Sequence, residues 1–163
     1  SSAVVINQED KQFSPYFAVI QRGTAVSFRN NDDITHHIYS AIGENRFSIK
    51  LKSLDDAKNV QFDHSGVVPM GCNIHDWMSG QLLVVDTPFF TQTNTDGVAV
   101  FDTGNLAPKS VKVWHPQMAT VDRDKQYVFS AQQKAINITL TKQLKPAPEQ
   151  KSLDDFDFLD DYE

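Results

Sequence analysis

The chain has 163 residues, of which 40% are hydrophobic; this length allows one domain of about 100–150 residues with a small addition, or two small domains. The single cysteine, Cys72, excludes an intramolecular disulfide, and no apolar run approaches the roughly 20 residues that a membrane span needs. The formal net charge of −6 argues against a nucleic-acid-binding protein, because such proteins usually carry a basic patch.

The first half of the chain has the pattern of short β-strands. Val, Ile, Thr and Phe are frequent, and turn residues recur roughly every 8–12 positions, which is typical of a β-sandwich. No window has a sustained 3.6-residue apolar period. Asp55 and Asp56 favour one short helical turn. The predicted strands are Ala3–Asn7, Tyr16–Gln21, Ala25–Asn30, Thr35–Ala41, Phe47–Leu51, Asn59–Phe62, Val67–Cys72 and Gly80–Asp86.

The strand pattern is interrupted after Asp86. Pro88 ends a strand there, because proline has no N–H to donate to a neighbouring strand. We therefore predict a first domain over residues 1–86 and a small second β-sandwich over residues 87–145. The predicted strands of the second domain are Val98–Phe101, Ser110–Trp114, Gln126–Ser130 and Ala135–Thr141.

The acidic charge is concentrated in the last segment, residues 146–163. From Glu149 to Glu163 the net charge is −6, so the rest of the chain is neutral. This segment could be a disordered, solubilising end, or a short peptide that becomes ordered on a partner. The apolar and aromatic anchors of such a peptide are Phe156, Phe158, Leu159 and Tyr162.

A metal-binding pattern lies between two predicted strands, where residues 71–80 read GCNIHDWMSG. Cys72, His75 and Met78 offer a thiolate, an imidazole and a thioether at close spacing. One thiolate and two imidazoles in a trigonal plane, with a weak axial methionine, form the blue-copper arrangement. Packing alone seldom produces this spacing, so we predict a copper site that takes one more histidine from elsewhere.

His36 and His37 are the candidates for the second imidazole. Strand alternation places His36 on the same face as Ile34 and Ile38, and His37 on the opposite face. The first face is the more apolar, so we predict His36 as the ligand and keep His37 as the alternative. Zinc fits this set less well, because structural zinc prefers several thiolates or closed Cys/His sets. A Cys–His hydrolase lacks an evident third orienting residue.

These motifs resemble those of the cupredoxins, the small blue copper proteins. The first ligand region resembles plastocyanin-like members in a register that again selects His36, and the spacing from Cys72 to Met78 is similar to the short ligand loop of amicyanin. Over residues 3–145 the chain resembles the bacterial "methylamine utilization protein" class, in which a small carboxypeptidase-regulatory-like β-sandwich follows a cupredoxin. The runs that carry this resemblance are Val26–Asn31, His36–Ser40, Gly71–Met78, Asp86–Phe90, Thr95–Gly97 and Val113–Pro116.

The resemblance implies an all-β fold, in which a cupredoxin Greek-key β-sandwich is followed by a small Ig/prealbumin-like β-sandwich and the acidic tail. It implies an electron carrier rather than an enzyme, with His75 as the ligand at the solvent edge. The implied ligands of one Cu(I)/Cu(II) ion are His36, Cys72, His75 and Met78. The residues expected around these ligands or at the electron port are His37, Asn30, Asp76 and Trp77.

We expect a redox partner such as a c-type cytochrome or a periplasmic dehydrogenase, with the acidic tail contacting a basic surface of that partner. A thiolate–copper centre fits an oxidising compartment, and the chain begins with Ser1 rather than Met. We therefore predict a bacterial periplasmic or otherwise exported protein from which a leader has been removed. Two alternatives are a copper-handling protein for delivery or storage, and a non-redox recruitment module that acts through the second domain and the tail.

Overall fold

The regular elements of the chain are β-strands. The computed structural model describes residues 4–54, 56–75, 77–118, 123–130 and 132–149, and in these ranges it contains eleven strands and no helix. The expectation of an all-β chain is therefore confirmed. The strands are β1 Val4–Glu9, β2 Gln12–Ser14, β3 Phe17–Gln21, β4 Thr24–Asn30, β5 His36–Ser40, β6 Phe47–Leu51, β7 Asp56–Phe62, β8 Gly66–Cys72, β9 Ser79–Val85, β10 Ser110–Trp114 and β11 Asp124–Val128.

The chain divides into two units. The first is built mainly from Ser1–Pro88, and the second is Phe89–Ala147. Within the residues that the structure describes, no helix has the length and apolar character required to cross a membrane.

Two sheets build the first unit. One has the strand order β2-β1-β4-β7, and the other has the order β3-β9-β8-β5-β6. β1 and β4 are parallel neighbours in the first sheet, whereas β3, which lies between them in sequence, pairs in parallel with β9 in the second. The chain therefore crosses from one sheet to the other, because parallel neighbours cannot be joined by a tight hairpin.

The core of the first unit lies between these sheets. Buried and exposed residues alternate along β4 and β9, as a sheet with one covered face requires. Phe28 and Phe62 come from one sheet and Phe47 from the other. Their ring centroids are 5.3–6.5 Å apart, a separation at which aromatic pairs attract one another. This packing holds the strands that carry the metal-binding pattern.

Two local features of the first unit differ from the sequence prediction. β2 was missed because it has only three residues, and its turn from β1 uses left-handed Asp10 (φ 52°) and Lys11 (φ 57°) rather than glycine. Asp56 was predicted in a helical turn, but it begins β7 and is paired with Asn30 of β4. The helical-turn prediction was wrong for Asp56, because pairing along the whole of β4 outweighs local preference; Asp55 lies outside the described residues.

The second unit has less regular structure than its sequence pattern predicts. β10 and β11 pair antiparallel, from Ser110 opposite Val128 to Trp114 opposite Asp124. The predicted strands at residues 98–101 and 135–141 are not strands in the structure. An alternating apolar pattern shows that a segment can form a strand, but not that another segment pairs with it. The second β-sandwich over residues 87–145 stays a prediction.

Candidate metal centre

Three buried donor side chains converge where β5 and β8 pair. His36 begins β5, Cys72 ends β8, and His75 lies in the loop that follows. Ile38 is paired with Cys72, so His36, two residues before Ile38, points to the same face as the cysteine. The side chains of His36, Cys72 and His75 are at most 4% exposed. Pairing of two strands distant in sequence thus builds one half of the site.

The three donor atoms are close enough to share one metal ion. They all lie within 4.8 Å of one another. The Cys72 Sγ atom is 3.7 Å from His36 Nδ1 and 3.5 Å from His75 Nδ1. Among the described residues, this is the group of three or more His, Cys, Asp and Glu side chains that could hold a metal.

The loop from Cys72 to Met78 is held at both ends by backbone hydrogen bonds. The Cys72 N–H donates to the Met78 carbonyl (3.3 Å), and the Met78 N–H donates to the His75 carbonyl (3.0 Å). The Asn73 N–H donates to the His37 carbonyl of β5 (2.9 Å). Met78 is buried in the same apolar cluster as Cys72. These bonds bring Cys72, His75 and Met78 together within a short span of chain.

His37 lies outside the cluster of donor atoms. It is partly buried, whereas His36 is fully buried, as the alternation along β5 requires. The His37 Nε2 atom is 2.9 Å from the Ser48 hydroxyl oxygen. The structure therefore brings His36, and not His37, to Cys72 and His75.

Asp32 is a neighbour of this cluster that the sequence analysis missed. Its Oδ2 atom is 2.6 Å from His36 Nε2. The backbone N–H groups of Asp10 and Lys11 donate to Oδ1 (2.7 Å) and Oδ2 (3.0 Å) of the same carboxylate. A carboxylate four residues before a histidine was the available signal, but it has no special meaning in a loop of unknown shape.

Asn30 fastens residues 31–35, which form the β4–β5 loop. Its side chain is fully buried, and its Nδ2 group donates to the carbonyls of Ile34 (2.7 Å) and Lys52 (2.7 Å), with a longer contact to Leu51 (3.4 Å). Its Oδ1 atom accepts the N–H of Asp32 (3.0 Å). Asn30 therefore ties the loop that carries Asp32 to the end of β6.

The protonation states of the metal-free cluster suit metal binding. Burial raises the pKa of the Cys72 thiol, but hydrogen bonds from His36 and from the backbone lower it further, so the net shift is downward. Burial opposes the charged form of His36, yet its hydrogen bonds to Cys72 and Asp32 raise its pKa overall. Burial and the nearby His36 charge lower the pKa of His75. A thiolate and a neutral imidazole are the forms that bind metals.

Trp77 covers the outer side of His75. Their ring centroids are 5.2 Å apart, as are those of His75 and His36. His75 is only 2% exposed. His75 therefore does not form the open solvent edge that the resemblance implied, because Trp77 packs on it. Asp76, between them in sequence, lies outside the described residues.

The proposed anchors of the acidic tail also lie outside the described residues. They are Phe156, Phe158, Leu159 and Tyr162.

The comparisons with known proteins concern the first half of the chain. No protein-family model matches the sequence, and no curated protein matches it. The chain is similar to a solved copper-containing nitrite reductase from Thermus scotoductus SA-01, with 24% identity and a TM-score of 0.49 over 52% of this chain and 23% of that one. It is also similar to amicyanin from Paracoccus versutus, with 24% identity and a TM-score of 0.48 over 52% of this chain and 83% of that one.

Proposed function

We propose that the protein is a cupredoxin-type electron carrier in which His36, Cys72, His75 and Met78 hold one copper ion. The observation that carries this proposal is the convergence of one thiol and two imidazole nitrogens within 4.8 Å in a buried cluster. Met78, buried in the adjoining core, supplies the thioether. This donor set is that of blue-copper electron-transfer sites. Copper bound there would supply one-electron chemistry by alternating between Cu(I) and Cu(II).

The protein scaffold keeps the donors in place. His36 and Cys72 lie on paired strands of one sheet, and backbone hydrogen bonds hold the loop that carries His75. Donors held by such a sheet need little rearrangement when the charge of the site changes, and a preorganised site serves rapid transfer. Burial of all three donors also excludes water and exogenous ligands, which favours a carrier over an enzyme that must admit a substrate.

The side of the site covered by Trp77 is the proposed electron port. The Trp77 ring is partly buried and packs on His75, so the two rings form a short route from the cluster towards the surface. The proposed partner is a redox protein such as a c-type cytochrome or a periplasmic dehydrogenase. The acidic residues from Glu149 onwards would attract a basic surface on that partner, with an effect that falls as salt increases. A periplasmic location belongs to the same proposal.

Copper titration of two histidine variants tests the site. We expect the unmodified protein and His37→Ala to bind one equivalent of Cu(II) with intense thiolate-to-copper absorption and the matching EPR spectrum. His36→Ala is expected to lose both signals, because it removes a donor 3.7 Å from the thiol. A colourless copper complex of the unmodified protein, or loss of colour in His37→Ala alone, would refute the proposed site.

A further inference from the structure

We propose that Asp32 is a positioning residue for His36, which it holds with Nδ1 directed to the metal, and that its charge lowers the reduction potential of the site. This inference rests on the proposed function, since it assigns a role to a residue that contacts the proposed ligand rather than the metal. It assigns Asp32 a role that neither the loop motif nor the strand pattern indicated.

The geometry defines the tautomer of His36. Its Nδ1 atom faces the Cys72 sulfur at 3.7 Å, and its Nε2 atom faces the Asp32 carboxylate at 2.6 Å. An ionised carboxylate only accepts hydrogen bonds, so Nε2 carries the hydrogen and donates it. In the neutral ring, Nδ1 is then left with a lone pair that points towards the thiolate and the metal position.

The carboxylate of Asp32 is itself held in place. It accepts the backbone N–H groups of Asp10 and Lys11, and the Asp32 N–H donates to the buried Asn30 side chain. Asp10 and Lys11 both have left-handed backbone angles, which turn their N–H groups to the same acceptor. The side chain of Asp32 is only 12% exposed. The carboxylate is therefore an anchored part of the scaffold, and a rotated side chain would lose three hydrogen bonds.

An anchored negative charge against the imidazole also acts on the metal. A carboxylate that accepts the distal N–H makes the imidazole a more basic ligand. A more basic ligand and a nearby negative charge both stabilise Cu(II) relative to Cu(I). The charge of Asp32 is thus expected to lower the reduction potential, apart from its effect on the position of the ring.

Asp32→Asn and its neighbour Asp33→Asn separate these effects. Asp32→Asn keeps an oxygen acceptor of the same shape and removes the charge, whereas Asp33→Asn removes an exposed charge from the same loop. We expect Asp32→Asn to shift the reduction equilibrium towards Cu(I) by about 10-fold, which is about 59 mV for a one-electron couple. Asp33→Asn is expected to shift it less than about 3-fold. The readout is redox titration of the copper-loaded protein at fixed pH.

The tautomer is read in the metal-free protein. We expect two-bond ¹H–¹⁵N spectra, at a pH where the ring is neutral, to show His36 with its hydrogen on Nε2 in the unmodified protein. Asp32→Ala is expected to give a mixture of both tautomers, because it removes the acceptor. Equal potentials in Asp32→Asn and Asp33→Asn, or an unchanged tautomer in Asp32→Ala, would overturn the inference. If the unmodified protein lacks the blue absorption, the proposed function fails, and the tautomer still decides whether Asp32 positions His36.

Discussion

Asn30→Ala is expected to destabilise the first unit by about 3 kcal/mol. The side chain makes three good hydrogen bonds, two from Nδ2 to the carbonyls of Ile34 and Lys52 at 2.7 Å and one to Oδ1 from the Asp32 N–H at 3.0 Å. The contact to Leu51 at 3.4 Å is too long to add much. A typical hydrogen bond contributes about 1 kcal/mol, so removing three gives about 3 kcal/mol.

The measurement is urea denaturation of the metal-free protein followed by circular dichroism. Asn31→Ala is the matched control, because it removes the same chemical group from an exposed neighbouring position. We expect the control to change the free energy of unfolding by less than about 0.5 kcal/mol. Similar denaturant slopes in both variants would show that stability, and not the extent of unfolding, has changed.

A second consequence of Asn30→Ala concerns metal binding. Asn30 holds the loop that carries Asp32 and leads into His36, so its removal is expected to weaken copper binding as well as folding. A loss of stability below about 1 kcal/mol, or no difference from Asn31→Ala, would refute the reasoning that this side chain fastens the β4–β5 loop.

Two further predictions concern packing and pH. Gly80→Ala is expected to cost about 1–3 kcal/mol, because its Cβ would lie 3.1–3.2 Å from Met70 and Phe13, whereas Gly71→Ala meets Tyr39 at 3.4 Å and should cost less than about 1 kcal/mol; equal losses in denaturation would contradict this. Burial lowers the pKa of His115 in the folded chain. The second unit should therefore lose stability as pH falls below the unfolded value of about 6.5, and pH-dependent hydrogen exchange of β10 and β11 should show no such loss in His115→Gln.

Local patterns in the sequence predicted much of the first unit. Period-two alternation of apolar residues predicted most of its strands, because one face of each sheet is buried. The same alternation separated His36 from His37, which the structure places inside and outside the donor cluster. The loop from Cys72 to Met78 was recognisable because its three soft donors lie close in sequence, where short chain length alone keeps them near one another.

Contacts between distant segments required the tertiary structure. β2, the start of β7 and the unpaired segments of the second unit depend on whether a partner strand is available, which a local pattern does not encode. The cover of His75 by the Trp77 ring and the hydrogen bond from His36 to Asp32 depend on how side chains and loops pack.

The sequence by itself determined the class of the fold and the chemical identity of the donor set, since residue types and their short spacing specify both. Only the tertiary structure decided that Asp10, Lys11 and Asn30 surround Asp32, and that Asp32 faces His36. The physical reason is that hydrogen-bond partners are selected by distance and direction in space. Those are properties of the whole packed sandwich, not of any one segment.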